Sequence, residues 1–200
     1  MKIYKLQFFL IIAISVILFA GCSSKAARVA KPDFGMNTVN VIAVLPVENK
    51  TEDLVAPYLL RSKISQELYF KGYAKLSPDL IDRKLESSEM SDYAKKASTI
   101  SPQFLRELLG ADAVLHITLI ESVKSTGIFY SPITLSMSCE LRKAQSGEII
   151  WSGTYRATSR NFAFTRKGAK MKTHKGYEGV IDEVVNKIIG DLPYGPNLSG

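Results

Sequence analysis

The chain predicts an α/β fold, a mixed sheet of about five strands with helices packed on it, in the order β-α-β-α-α-β-β-β-α. Three observations carry that expectation. Up to Gly110, short apolar runs are separated by stretches with helical spacing. From Asp112 to Arg156 the apolar period becomes two, with turn residues between the runs. From Tyr177 to Ile189 the spacing is helical again.

Val39 to Leu45 is apolar on both faces apart from Asn40, which predicts a central strand covered on two sides. It stops at Pro46, and Glu48-Asn49-Lys50-Thr51 reads as a polar turn. A helix follows from about Asp53 to Lys71, with Leu60, Ile64 and Leu68 along one side and Gly72 as its stop. Tyr73 to Leu76 reads as a short strand. Ser77-Pro78 opens the next helix: serine can cap it, and proline at the first helical position gives up no needed donor. Ser101-Pro102 repeats the device ahead of Phe104, Leu105, Leu108 and Leu109, and Gly110 closes that helix. The polar stretch from Glu86 to Thr99 reads as a loop or irregular helix.

Ala113, Leu115, Ile117 and Leu119 then alternate with mostly polar residues, and Ser125-Thr126-Gly127 reads as a turn. Ile133 to Leu141 is a second alternating strand, with Cys139 on its apolar face. Gln145-Ser146-Gly147-Glu148 signals a hairpin, after which Ile149, Trp151, Gly153 and Tyr155 point one way. These strands make a three-stranded antiparallel meander. In the last helix, Val180/Val184/Ile188 and Ile181/Val185/Ile189 form two adjacent rows, and Gly190 reads as the stop. So many β-branched residues mean that packing, not propensity, holds this helix.

The N-terminus has a different grammar. Lys2 and Lys5 precede an apolar run from Phe8 to Phe19, interrupted by Ser15, and Leu18-Phe19-Ala20-Gly21-Cys22 ends it in small residues. Residues 1–21 read as a lipoprotein signal peptide, too short for a comfortable span. The Cys22 thiol is expected to take a diacylglycerol. Ser23 after it fits outer-membrane sorting in a Gram-negative envelope. Residues 22–38 form the lipidated N-terminus and a tether of roughly 20–25 Å root-mean-square span. Residues 39–200 are a single α/β domain. With Cys22 acylated, Cys139 is the other cysteine, which leaves no intramolecular disulfide and reads as a small buried hydrophobe.

Charge is concentrated. Arg156 to Lys175 holds seven basic residues and no acid, while the rest of the mature chain has 17 basic and 19 acidic residues, a net of −2. The segment reads as a charged loop before the last helix. Arg166, Lys167, Lys170, Lys172 and Lys175 are the candidates for contact with an anionic surface or an acidic partner. An address outside the cytoplasm argues against nucleic acid. His116 on a strand and His174 among lysines lack companions at metal-ligand spacing, so neither a metal nor a cofactor is expected. Asp79, Asp82 and Glu86 share a helix side, but with Arg83 and Lys84 beside them they read as a solvated face.

Three segments carry a resemblance: Val41-Ile42-Ala43-Val44-Leu45-Pro46-Val47-Glu48-Asn49-Lys50-Thr51, Leu109-Gly110-Ala111-Asp112-Ala113-Val114-Leu115, and Ser146-Gly147-Glu148-Ile149-Ile150-Trp151-Ser152-Gly153. In this order behind a lipobox, they resemble the GNA-type lipoprotein antigens, bacterial lipoproteins with a domain of unknown function. That family is similar in fold to the N-terminal domain of TolB and to the curli secretion lipoprotein CsgG. The resemblance implies a non-catalytic outer-membrane lipoprotein, an interaction or assembly component of a transport- or secretion-like envelope complex. Its implied partners are the membrane through the lipid, other envelope proteins and further copies of itself. An activator of a peptidoglycan synthase is the alternative, and a hydrolase with a site assembled across the fold is the third reading.

Overall fold

The computed structural model describes residues 39–88, 100–125, 130–162 and 166–197. The expected signal peptide, Cys22 and the tether lie outside the described residues, as do most of the stretch after Glu86 and the Thr126-Gly127 part of the first turn. The elements run β1 (Ile42–Val44), β2 (Glu48–Asn49), α1 (Ala56–Phe70), α2 (Pro78–Ser87), α3 (Pro102–Leu109), β3 (Ala113–Lys124), β4 (Tyr130–Lys143), β5 (Ile149–Phe162) and α4 (Arg166–Asp191).

The five strands form one mixed sheet in the order β1-β3-β4-β5, with β2 also paired to β3. β1 and β2 are two pieces of one line running parallel beside β3. Ile42 lies opposite Ala113 and Val44 opposite Leu115; Glu48 lies opposite Thr118 and Asn49 opposite Leu119. The line breaks around Pro46, which has no N–H to give the ladder. Two expectations change here. Glu48-Asn49 is not part of a turn, because β3 runs on far enough to pair it. β1 lies at the margin of the sheet rather than its centre. It is still covered on both faces: Ile42 and Val44 pack with α1 and α4, while Ala43 and Leu45 pack with α2 and α3.

The expected strand at Tyr73 to Leu76 shrinks to one bridge, between Ala74 and Val41. The backbone just before it serves the C-terminal tail: Gly195 N–H donates to Lys71 O, and Asn197 N–H to Gly72 O. Tyr73 is buried under this strap and donates its hydroxyl to Pro193 O.

The helix starts follow local chemistry. α1 begins at Ala56, after Asp53 has accepted the N–H groups of Val55 and Ala56. Ser101 caps α3 by accepting Phe104 N–H at 3.2 Å, and Gly110 ends it at φ 68°. Ser77 does not cap α2 with its side chain; its carbonyl takes the N–H groups of Leu80 and Ile81.

β3, β4 and β5 make the expected meander, longer than predicted. The β3–β4 register shifts between Leu119 and Glu121, so Ser122 and Lys124 stand opposite Leu135 and Ile133 on the face covered by α1 and α4. Gly147, at φ 74°, makes the β4–β5 turn. Two larger corrections follow. The basic stretch is not a loop: Arg156 and Arg160 belong to β5, and Arg166 starts α4. Gly190 does not stop α4, which continues to Asp191. Once the packed Tyr177–Ile189 core has nucleated the helix, adding turns at either end is cheap.

Candidate functional site

The cationic start of α4 is mounted on one carboxylate. Ser122 and Lys124, turned inward by the bulge in β3, reach Asp53 at the N-terminus of α1. Asp53 Oδ2 accepts the Ser122 hydroxyl at 2.7 Å and the Tyr177 hydroxyl at 2.7 Å, and pairs with Lys124 Nζ at 2.9 Å. Lys124 Nζ also sits 3.8 Å from the centre of the Tyr177 ring. The Asp53 side chain is only 6% exposed. Burial alone would raise its pKa. The bonds from Lys124, Ser122, Tyr177 and the Ala56 N–H outweigh that and hold the carboxyl well below the usual range. Burial and the bond to Asp53 push the Tyr177 hydroxyl far above the ordinary tyrosine value. Neither group changes charge near neutral pH.

Residues 166–176 extend α4 by about 16 Å before this anchor. Arg166, Lys167, Lys170 and Lys172 lie along that extension, and Lys175, two residues before Tyr177, is exposed. Their positions go round the helix axis rather than along one stripe. The first turn carries no acid, so cations oppose the positive end of the helix dipole, an arrangement that a bound anion would relieve.

The other two cations of the segment stand apart. Arg156 lies on the sheet face away from α4, paired with Glu121 at 3.2 Å. Arg160 is exposed near the end of β5, opposite Pro132. The structure therefore divides the seven cations into a helical five and a strand two, which sequence proximity had merged.

The remaining candidates lie elsewhere in the domain. His116 is half-buried and opposite Glu140; burial, with Arg142 nearby, lowers its pKa, while Glu140 opposes that shift. Cys139 is buried, and burial pushes its thiol up to about 12. Asp79 and Glu86 are exposed, but Asp82 is not merely solvated: it pairs with Arg61 Nη1 at 2.7 Å. Arg61, unremarked in the sequence, is buried and donates through Nε to Val44 O at 3.0 Å, tying α1 to β1 and α2. A cavity of about 140 Å³ lies here, lined by Tyr58, Arg61, Ser62, Pro78, Asp79 and Asp82. Among the described residues there is no group of three or more His, Cys, Asp or Glu suited to a metal ion, and no helix long and apolar enough to cross a membrane.

Asp53 is the site residue that sequence reasoning missed. Its place at a helix start was visible; its link to Tyr177 was not, because nothing local announces a partner 124 residues away.

A family model described as "Putative lipoprotein GNA1162-like" matches residues 33–193. The "Putative lipoprotein NMB1124/NMB1162" of Neisseria meningitidis serogroup B is 24% identical over 183 residues, covering 89% of this chain and 79% of that protein. The crystal structure of lipoprotein GNA1162 from Neisseria meningitidis matches with a TM-score of 0.58 at 23% identity, over 75% of this chain and 98% of that one. A PelC dodecamer from Paraburkholderia phytofirmans matches with a TM-score of 0.54 at 19% identity, over 78% of this chain and 90% of that one. Both likenesses show the fold.

Proposed function

The chain belongs to the GNA1162-like lipoprotein family, and from that premise we propose that it is a non-catalytic assembly component of the cell envelope. In this reading Cys22 is acylated, residues 22–38 tether the domain to the outer membrane, and the cationic start of α4 contacts an anionic partner. The observation that carries the contact is the charge of that helix start: five basic residues, no acid, and Lys175 exposed. The PelC structure, a dodecamer on the same fold, supports adding self-association to the reading.

The test is cross-linking of the tagged, membrane-anchored protein in cells, with mass spectrometry of what co-purifies. A parallel sample carries Arg166→Gln, Lys167→Gln, Lys170→Gln and Lys172→Gln. Defined envelope proteins recovered with the wild type and lost with the variant would support the reading. Identical partners in both samples would remove α4 from it. Labelling with an alkynyl fatty acid checks the anchor: incorporation should vanish in Cys22→Ser, and label retained there would sink the acylation site.

A further inference from the structure

The cavity beside Arg61 adjoins a larger one. Ser62 and Pro78 line both, and the second, of about 490 Å³, runs on past Ser65, Gln66 and Ser77 to Tyr69 and Phe70. Small-ligand sites have volumes of about 300–1,000 Å³. Together the two make a cleft along one face of α1, where Tyr58, Ser62, Ser65, Gln66 and Tyr69 recur at helical spacing over about 16 Å. The opposite wall is the chain from Lys75 into the start of α2. Arg61 sets the width. It is buried and donates to Val44 O and to Asp82, so α1 and α2 keep a fixed separation before any ligand arrives.

The lining is rich in hydroxyl and amide groups and balanced in charge: Arg61 and Lys75 are matched by Asp79 and Asp82. Ser62 and Gln66 are exposed, and the Ser77 hydroxyl makes no capping bond. The Ser65 hydroxyl donates to Arg61 O and keeps lone pairs with which to accept. Asp82 gives one oxygen to Arg61; the other, Oδ1, is buried with no hydrogen-bond partner among the described residues. The side chain as a whole is partly exposed, and the terminal torsion of an aspartate is soft, so a turn of the carboxylate offers an acceptor to the cleft. Exposed aromatic rings stand at both ends, Tyr58 at one and the edge-on pair Tyr69 and Phe70, with centroids 5.6 Å apart, at the other.

Such rings, flanked by uncharged hydrogen-bonding side chains, match a ligand with apolar C–H faces and a dense rim of hydroxyls. We propose that the cleft between α1 and α2 binds a neutral oligosaccharide, its ring faces laid on Tyr58 and Tyr69 and its hydroxyls bonded to Ser62, Gln66, Ser77 and Asp82. The balance of charge argues against a phosphate or a polyanion. A helical peptide would need an apolar groove, and Leu76 and Pro78 are the aliphatic residues of this lining. An extended peptide would need free backbone beside it, whereas that of α1 is bonded along the helix. The site goes beyond the α4 contact and does not depend on it.

The experiment uses the full acylated protein in micelles of a detergent without a sugar head group. Saturation-transfer NMR is recorded on chitotetraose, maltotetraose and an uncharged tetrapeptide. Transfer is expected to a tetrasaccharide, strongest at its ring C–H protons, and unchanged at high salt. Chitotetraose alone would narrow the class to N-acetylated glycans, and maltotetraose alone to unsubstituted ones. Tyr58→Ala and Tyr69→Ala should each cut the signal about fivefold. Ser62→Trp, which fills the middle of the cleft, should abolish it. All three positions are exposed, and unchanged thermal unfolding checks that each variant keeps its fold. Transfer to neither sugar, or transfer that survives Ser62→Trp, would overturn the proposal. So would loss of the signal at high salt, which belongs to a charged contact, or transfer to the peptide alone. The α4 contact is read separately, by cross-linking, and stands or falls on that result.

Discussion

Asp53 Oδ2 accepts the Tyr177 hydroxyl at 2.7 Å, joining the start of α1 to the point where α4 leaves the body of the domain. The same oxygen holds Lys124 and Ser122. The cationic turns therefore project from a fixed base.

Removing that base should cost stability with a definite pH dependence. Asp53→Asn is expected to lose about 1–3 kcal/mol at neutral pH, since bonds to a buried charged acceptor are among the stronger ones. The native pKa of Asp53 lies below its unfolded value of about 4, so its contribution is present above that value and is lost as pH falls through the native pKa. The gap between wild type and variant should shrink as pH drops below about 4. Urea unfolding at pH about 7 and about 3 checks this; a gap that widens in acid would contradict it.

The strap tests close backbone approach. A Cβ on Gly195 would lie 2.4 Å from Gly72 O, so Gly195→Ala must displace the tail. A loss of about 1–3 kcal/mol is expected. Gly190, inside α4 with nothing within 4 Å of an added Cβ, should do the opposite. Gly190→Ala should gain up to about 1 kcal/mol from helix propensity. Thermal unfolding of the two variants should shift in opposite directions.

Gly153 makes room for an aromatic pair. A Cβ there would come within 2.5 Å of the Tyr155 hydroxyl, which donates to Asp191, while the Tyr155 ring stacks 6.1 Å from Trp151. Gly153→Val should push Tyr155 aside and loosen the end of α4. Because Trp151 is the sole tryptophan, its emission should move to the red. Unchanged emission would mean that Tyr155 yields without disturbing the stack.

Cys139 should be silent until the domain opens. It is 1% exposed, and burial disfavours its thiolate. In Cys22→Ser protein at mild alkaline pH, reaction with a thiol-specific chromogenic disulfide should track global unfolding in denaturant. Prompt reaction in the native state would refute the burial.

The sequence by itself determined the element types, the meander and the core rows of α4, because an apolar period of two or 3.6 is a local property of the chain. It also determined which residues are cationic. Tertiary structure decided the rest. Whether Glu48-Asn49 turned or paired depended on how far β3 continued beside it. Tyr73 to Leu76 kept one bridge, Ala74 to Val41, beside a C-terminal strap held by the carbonyls of Lys71 and Gly72. Where the basic segment divided into strand and helix depended on packing at Tyr177 and on Asp53. Arg156 left the cluster because the register of β3 and β4 brought Glu121 within its reach. That α4 begins at the end of the sheet away from the start of β1 is likewise a consequence of topology: β5 carries the chain the length of the sheet first.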